Sequence, residues 1–232
     1  QGGEIRTGIR VEACRQKNGH HEIVTSQGIV EARFLINCGG LHSDRIARFS
    51  GEKPSARIIP FRGEYYELVP EKRHLVKGLI YPVPNPDFPF LGVHFTRMID
   101  GGVHAGPNAV LAFKREGYFK TDVSVRDMAE VFGYRGFWKM AWKNLGEGAR
   151  EMWRSFSKRA FVASLQRLIP AIEARDLVPC HAGVRAQALM PDGKLVAGGG
   201  KNVKVSSDHG ANWTPVAERT PIQPAAQTVI AT

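Results

Sequence analysis

The chain has 232 residues, 43% hydrophobic and 23% charged, enough for one large domain or two small ones around a sizeable core. No apolar run approaches the roughly 20 residues of a membrane-spanning helix, and three widely spaced cysteines, Cys14, Cys38 and Cys180, argue against a disulfide framework and a zinc site. A formal charge of +10 points to anionic partners: cofactor phosphates, acidic substrates, lipid headgroups or nucleic acid. No nucleic-acid motif accompanies the charge. The cysteine usage fits a reducing, cytoplasmic compartment. The sequence starts at Gln1, inside a strand-like pattern, and is expected to be a piece of a longer protein.

Residues 4–36 carry three β-like runs, around Ile5–Val11, Glu22–Thr25 and Ile29–Ile36. Asn18-Gly19 and Gln27-Gly28 are the turn signals between them. Phe34-Leu35-Ile36 reads as a buried strand. Asn37-Cys38-Gly39-Gly40 then allows a sharp turn, Ser43-Asp44 are candidate caps, and Ile46, Ala47 and Phe49 begin a helix. Strand, glycine turn and helix N-terminus are the geometry that holds a phosphate or dinucleotide at a sheet edge.

A second β region follows. Arg57–Leu68 has strand composition with Gly63 inside, a sign of close backbone approach. Leu79–Val83 is another strand, residues 85–89 turn, and Phe90–Thr96 resume the sheet. Asp100-Gly101-Gly102 is a hairpin turn and Val103–Asn108 returns, so an antiparallel sheet is expected. Residues 124–169 are helical, with Ser124 as N-cap, Asp127 at the capping-box distance, and Gly133, Gly136, Gly146 and Gly148 as breaks. Leu177-Val178, His181–Arg185 and Leu195-Val196 are β again, with a turn at Pro191-Asp192-Gly193.

These segments together resemble the FAD-dependent 2-hydroxyacid oxidases and dehydrogenases of the D-amino-acid-oxidase superfamily, the L-2-hydroxyglutarate oxidases among them. The glycine turn is similar to a flavin-contacting segment. Pro60–Leu68 and Gly92–Arg97 are similar to segments at the flavin and substrate interface, and Gly106–Tyr118 is the most specific match. Ala182–Gln187 with Asp192-Gly193-Lys194 resembles the C-terminal segment, so the likeness spans residues 1 to about 196. Two features depart from the pattern. No G-x-G-x-x-G is present to cradle the FAD pyrophosphate. After Val196 the tail instead carries Ser206-x-Asp208-x-Gly210-x-x-Trp213, which matches an Asp-box hairpin.

The resemblance implies an α/β to α+β fold, a partial Rossmann-like FAD-binding domain plus an antiparallel-sheet substrate domain with helices. The expected division is 1–54 for the FAD-binding remainder, 55–176 for the substrate domain, 177–197 for a return to the FAD-binding domain, and 198–232 for the tail. It also implies oxidation of L-2-hydroxyglutarate to 2-oxoglutarate by hydride transfer to the flavin. Another 2-hydroxy or amino acid, or a non-catalytic basic membrane-binding module, are the rival readings. For a dicarboxylate substrate Arg185 is the carboxylate-binding candidate, since guanidinium grips carboxylate in a bidentate fork. His94 is the candidate base, with His104 and His181 as alternatives. Arg62, Tyr65 and Asn108 are further substrate-binding candidates, Arg62 having an ion pair with Glu64 or Glu67 as its plainer reading. Lys114 and Arg115 have a structural reading. Gly39, Gly40, His42 and Gly183 are the flavin-contact candidates; no metal is expected. The helical stretch mixes Trp and Phe with Lys and Arg, which suits either a solvated packing face or peripheral docking on an anionic inner membrane near a quinone acceptor. Lacking the pyrophosphate cradle, the chain on its own is expected to bind FAD poorly.

Overall fold

The computed structural model describes residues 3–83, 92–199, 202–206 and 214–215. The chain opens with a three-stranded antiparallel meander, β1 (Val11–Lys17), β2 (His20–Thr25) and β3 (Gly28–Ala32). The β1–β2 turn is made by Asn18 and Gly19, at φ 48° and 82°. Two consecutive positive φ values give a turn whose twist matches the flanking strands, which is why the Asn-Gly pair marks it. A 3-10 turn (Gly40–His42) and α1 (Ser43–Phe49) follow.

The expected strand Phe34–Ile36 is absent. These residues pair with no strand among those described, and Phe34 and Ile36 are 66% and 69% exposed. A strand needs a ladder partner to satisfy its backbone, and apolarity alone does not supply one. Ser43 does not cap α1 either. It is the first helical residue and fully buried, while the Asn37 side chain organises the turn, accepting from Gly39 N (3.0 Å) and donating to Ser43 O (2.8 Å).

Among the described residues the larger sheet has nine strands, all antiparallel. They include β4 (Arg57–Leu68), β5 (Leu79–Ile80), β6 (His94–Arg97), β7 (Val103–Leu111), β8 (Leu177–Pro179) and β9 (Gly183–Leu189), with β10 (Leu195–Gly199), β11 (Asn202–Ser206) and β12 (Thr214–Pro215). The order is β12-β11-β10-β9-β4-β7-β6-β5, and β8 pairs with the far end of β4. The segment after residue 176 therefore joins the same sheet as β4–β7. Asp100–Gly102 forms the expected β6–β7 turn, with Gly101 at φ 85°. The expected strand Leu79–Val83 shrinks to two residues. The turn at 85–89, residues Phe90 and Leu91, and the centre of the Asp-box lie outside the described residues.

Four helices connect β7 to β8: α2 (Val125–Phe132), α3 (Arg135–Lys143), α4 (Leu145–Phe156) and α5 (Lys158–Gln166). Ser124 caps α2 through Asp127 N, but the Asp127 carboxylate is drawn away to Arg115 and Arg45, so the reciprocal arm of the box is not made. Gly133 ends α2 as expected. Gly136 lies inside α3 and Gly146 and Gly148 inside α4, and the chain breaks instead at Asn144 and Ser157. One core packs Phe161 and Leu165 of α5 against Leu68, Phe95 and Val103 of the sheet. Burial of such side chains stabilises the fold by about 1.5–3 kcal/mol each. A second core joins Val131, Tyr134 and Phe137 to Ile59, Leu189 and Leu195.

Candidate active site

The register sorts the expected site residues between the two faces of the sheet. Residues opposite each other in a ladder share a face, and successive residues alternate. Arg185 lies opposite Phe61, so its neighbour Arg62 points the other way, with Glu64 and with Asn108 opposite Glu64. Between Glu64 and Tyr66 the β4–β7 register shifts, β7 carrying one residue more. Beyond that bulge Ala105 lies opposite both Tyr66 and Phe95, and all three sit in the core with α5. His94, next to Phe95, therefore shares the face of Arg185, as does Tyr65. Arg62 and Asn108 lie on the helix-covered face.

On the first face Arg185 is exposed, and no carboxylate among the described residues pairs with it. His94 is half-buried and stacks on Tyr81, with ring centroids 4.3 Å apart. Its Nδ1 lies 3.1 Å from the Gly92 carbonyl oxygen. A carbonyl can only accept, so Nδ1 carries the proton and Nε2 keeps its lone pair. Burial lowers the His94 pKa below the ordinary histidine value; the Gly92 bond opposes this and the Arg185 charge reinforces it. The imidazole is thus held neutral, with a basic nitrogen in the field of a free guanidinium.

On the helix side Arg62 is buried, donating to Glu64 (2.9 Å) and to the Phe119 carbonyl (3.1 Å). The Asn108 side chain donates to Glu151 O (2.8 Å) and accepts from Arg154 (3.2 Å). Burial raises the Glu151 pKa, with Arg154 and the Ala109 N–H offsetting part of the effect. Arg62, Asn108 and Arg154 border a cavity of 460 Å³ lined also by Tyr65, Tyr118, Lys120 and residues 179–182. It opens where β4 changes partner: β9 covers Arg57–Gly63 and β8 covers Tyr66–Leu68, leaving 180–182 as a break in the ladder.

The glycine turn lies beside this sheet, the 3-10 turn touching β4 and β9. Gly40 has φ 48° and open space where a Cβ would stand, and Gly183 on β9 is open in the same way. Gly39 is different, since a Cβ there would fall 2.3 Å from Ile46 Cδ1. His42 meets Glu116 at 3.0 Å. Open backbone at Gly40 and Gly183 leaves room for a flat group to approach β4 and β9 here. Arg115, given a structural reading in the sequence, is buried and gathers Asp44, Leu41 O and Glu130. His181 is exposed; His104 lies beside Cys180 and Glu67.

One face of the sheet thus bears an unpaired Arg, able to bind a carboxylate, and a neutral His, able to accept a proton, with the glycine turn beside strands β4 and β9. The family model for the FAD dependent oxidoreductases (DAO) matches residues 1–218. The chain belongs to that family. It is 52% identical over 196 residues to the L-2-hydroxyglutarate dehydrogenase of Indibacter alkaliphilus, covering 84% of this chain and 49% of the relative. It is 47% identical to the enzyme of that name from Escherichia coli K12 (84% and 47% covered) and 50% identical to the human mitochondrial one (72% and 36%). The chain thus spans about half the length of the curated relatives it matches. In fold it is similar to the FAD-bound L-α-glycerophosphate oxidase of Mycoplasma pneumoniae, with a TM-score of 0.53 at 14% identity over 78% of this chain and 39% of that one.

Proposed function

We propose that this chain supplies the substrate-binding half of an enzyme that oxidises L-2-hydroxyglutarate to 2-oxoglutarate. The observation that carries the reading is the pairing of Arg185 with His94 on one sheet face. Arg185 takes the α-carboxylate in a bidentate fork and so fixes the hydroxyl-bearing carbon. His94 Nε2 removes the hydroxyl proton. Tyr81 holds the ring by stacking, and Tyr65 walls the same face. Gly39, Gly40, His42 and Gly183 would border FAD, which when bound supplies the hydride acceptor. Arg62 and Asn108, committed to Glu64, Glu151 and Arg154, brace the sheet behind this face.

The test is a chimera in which this chain replaces the matching 196-residue segment of the Indibacter alkaliphilus relative. The expected product retains a flavin spectrum and reduces a dye acceptor with L-2-hydroxyglutarate but not with its D-enantiomer. A yellow chimera that is inert with L-2-hydroxyglutarate and active with another 2-hydroxy or amino acid would replace the substrate assignment.

A second reading concerns where the enzyme works. Trp142, Trp153 and Phe156 are 78%, 67% and 74% exposed, beside Lys139 and Lys143 on α3 and α4. Among the described residues no helix is long and apolar enough to cross a membrane. The pattern suits peripheral docking on an anionic surface, within reach of a quinone acceptor. Co-sedimentation with vesicles that rises with anionic lipid and falls on Trp142→Ala/Trp153→Ala supports it; indifference to lipid charge counts against it.

A further inference from the structure

We propose that Glu67, His104 and Cys180 form a binding site for a zinc-class divalent cation on the sheet face. No spacing in the sequence signals it, because Cys180 and His104 are 76 residues apart. The ladders assemble it. Glu67 lies opposite His104 in the β4–β7 pairing and opposite Val178 in the β4–β8 pairing. The chain leaving β8 then bends back, with Cys180 N donating to Tyr65 O at 3.0 Å. That bend sets Cys180 Sγ 3.6 Å from His104 Nε2.

The donor atoms of all three residues lie within 4.8 Å of one another, and all three side chains are half-buried. Thiolate, imidazole and carboxylate are the three donor types zinc takes, and tetrahedral bonds of about 2.0–2.3 Å place sulfur and nitrogen roughly 3.5 Å apart. The observed sulfur–nitrogen separation meets that without movement. Arg73 donates to Glu67 Oε1 at 2.8 Å, which orients the carboxylate and leaves its second oxygen for a cation. His104 lies opposite Thr96, two residues along β6 from His94, so an ion held here adjoins the proposed reaction face. The cluster's geometry is independent of which substrate the neighbouring face binds.

The test uses the metal-stripped chain. Zn²⁺ is titrated against a chromophoric chelator, and Co²⁺ is added separately as a spectroscopic probe. The expected results are one tight equivalent and a thiolate-to-cobalt charge-transfer band in the near ultraviolet. Cys180→Ser removes the band, and Glu67→Gln weakens Zn²⁺ by about tenfold or more, the low end of what even supporting residues around a metal contribute. Cys14→Ser/Cys38→Ser leaves both signals in place. Circular dichroism checks each variant's fold. Absence of the thiolate band in the unmodified chain overturns the proposal whatever the variants do. So does a band lost with Cys14, whose Sγ lies 3.9 Å from His21 Nδ1 and forms the rival thiol–imidazole pair.

Discussion

Arg115 closes on Asp44 through two parallel hydrogen bonds, Nη1 to Oδ1 at 2.5 Å and Nη2 to Oδ2 at 2.9 Å, with both side chains almost wholly buried. The same guanidinium also donates to the Leu41 carbonyl, inside the 3-10 turn. One side chain from the loop after β7 thereby fixes the N-terminal turn of α1, and with it Gly39 and Gly40, against the sheet.

Arg115→Ala is expected to destabilise the chain by about 3–5 kcal/mol, because it strands a buried carboxylate. Arg115→Lys recovers only part of this, since a point charge cannot serve both oxygens and Leu41 O together. Urea unfolding of the three proteins measures the difference.

Acid should unfold the chain through the same network. Burial favours the neutral carboxyl at Asp44, Asp127 and Glu130, but the Arg115 and Arg45 hydrogen bonds outweigh it and hold all three pKa values below the ordinary range. A lowered folded pKa gives stability that is present above the unfolded values of about 4 and is lost as pH falls through the folded ones. Glu151 acts in the opposite sense: its raised pKa subtracts stability as pH rises from the unfolded value through the folded one. Melting temperatures from pH 7 to pH 3 should therefore fall steeply, and Asp44→Asn should flatten that slope while lowering the plateau.

Two glycines separate packing from approach. A Cβ at Gly136 would fall 2.2 Å from the Met190 carbonyl oxygen, a backbone atom that cannot step aside. Gly136→Ala should push α3 off the β9–β10 turn and lower the melting temperature by several degrees, in line with the 1–3 kcal/mol cost of overpacking. Gly39→Ala meets side-chain atoms alone, the tip of Ile46 at 2.3 Å and Asn37 Oδ1 at 3.1 Å, and should cost less. Its larger effect is expected on flavin retention in the chimera.

The chimera's pH profile tests His94. With the folded pKa below the ordinary value of about 6.5, the imidazole is neutral at pH 7, and kcat/KM should fall only as pH drops through that lowered value. His94→Gln should remove this acid limb and lower kcat by about 10²–10⁴-fold. Arg185→Lys should raise KM for L-2-hydroxyglutarate more than it lowers kcat.

The sequence carried what depends on neighbours in the chain. Asn18-Gly19 and Asp100–Gly102 announced their turns because only a few residues tolerate those dihedrals, and Ser124 announced a helix start. Phe34–Ile36 misled because strand formation depends on a partner that composition does not reveal. Gly146 and Gly148 misled because helix packing overrides a propensity cost of about 1 kcal/mol per glycine. Arg185 and His94 could be picked by chemistry, but their shared face required the register. The Glu67–His104–Cys180 cluster required three strands, and no local pattern encodes it.

The central place of β4 also sets a schedule for synthesis. One edge of β4 meets β7 soon after it leaves the ribosome, whereas its other edge waits for β8 and β9, roughly a hundred residues later. During that interval an apolar strand bearing Ile58, Ile59 and Phe61 presents unpaired backbone groups, and α2–α5 must form beside it before the sheet can close. The nascent chain is therefore most vulnerable to aggregation while its helices are being made, and a chaperone that shields this stretch should raise the yield more than one acting on the completed chain.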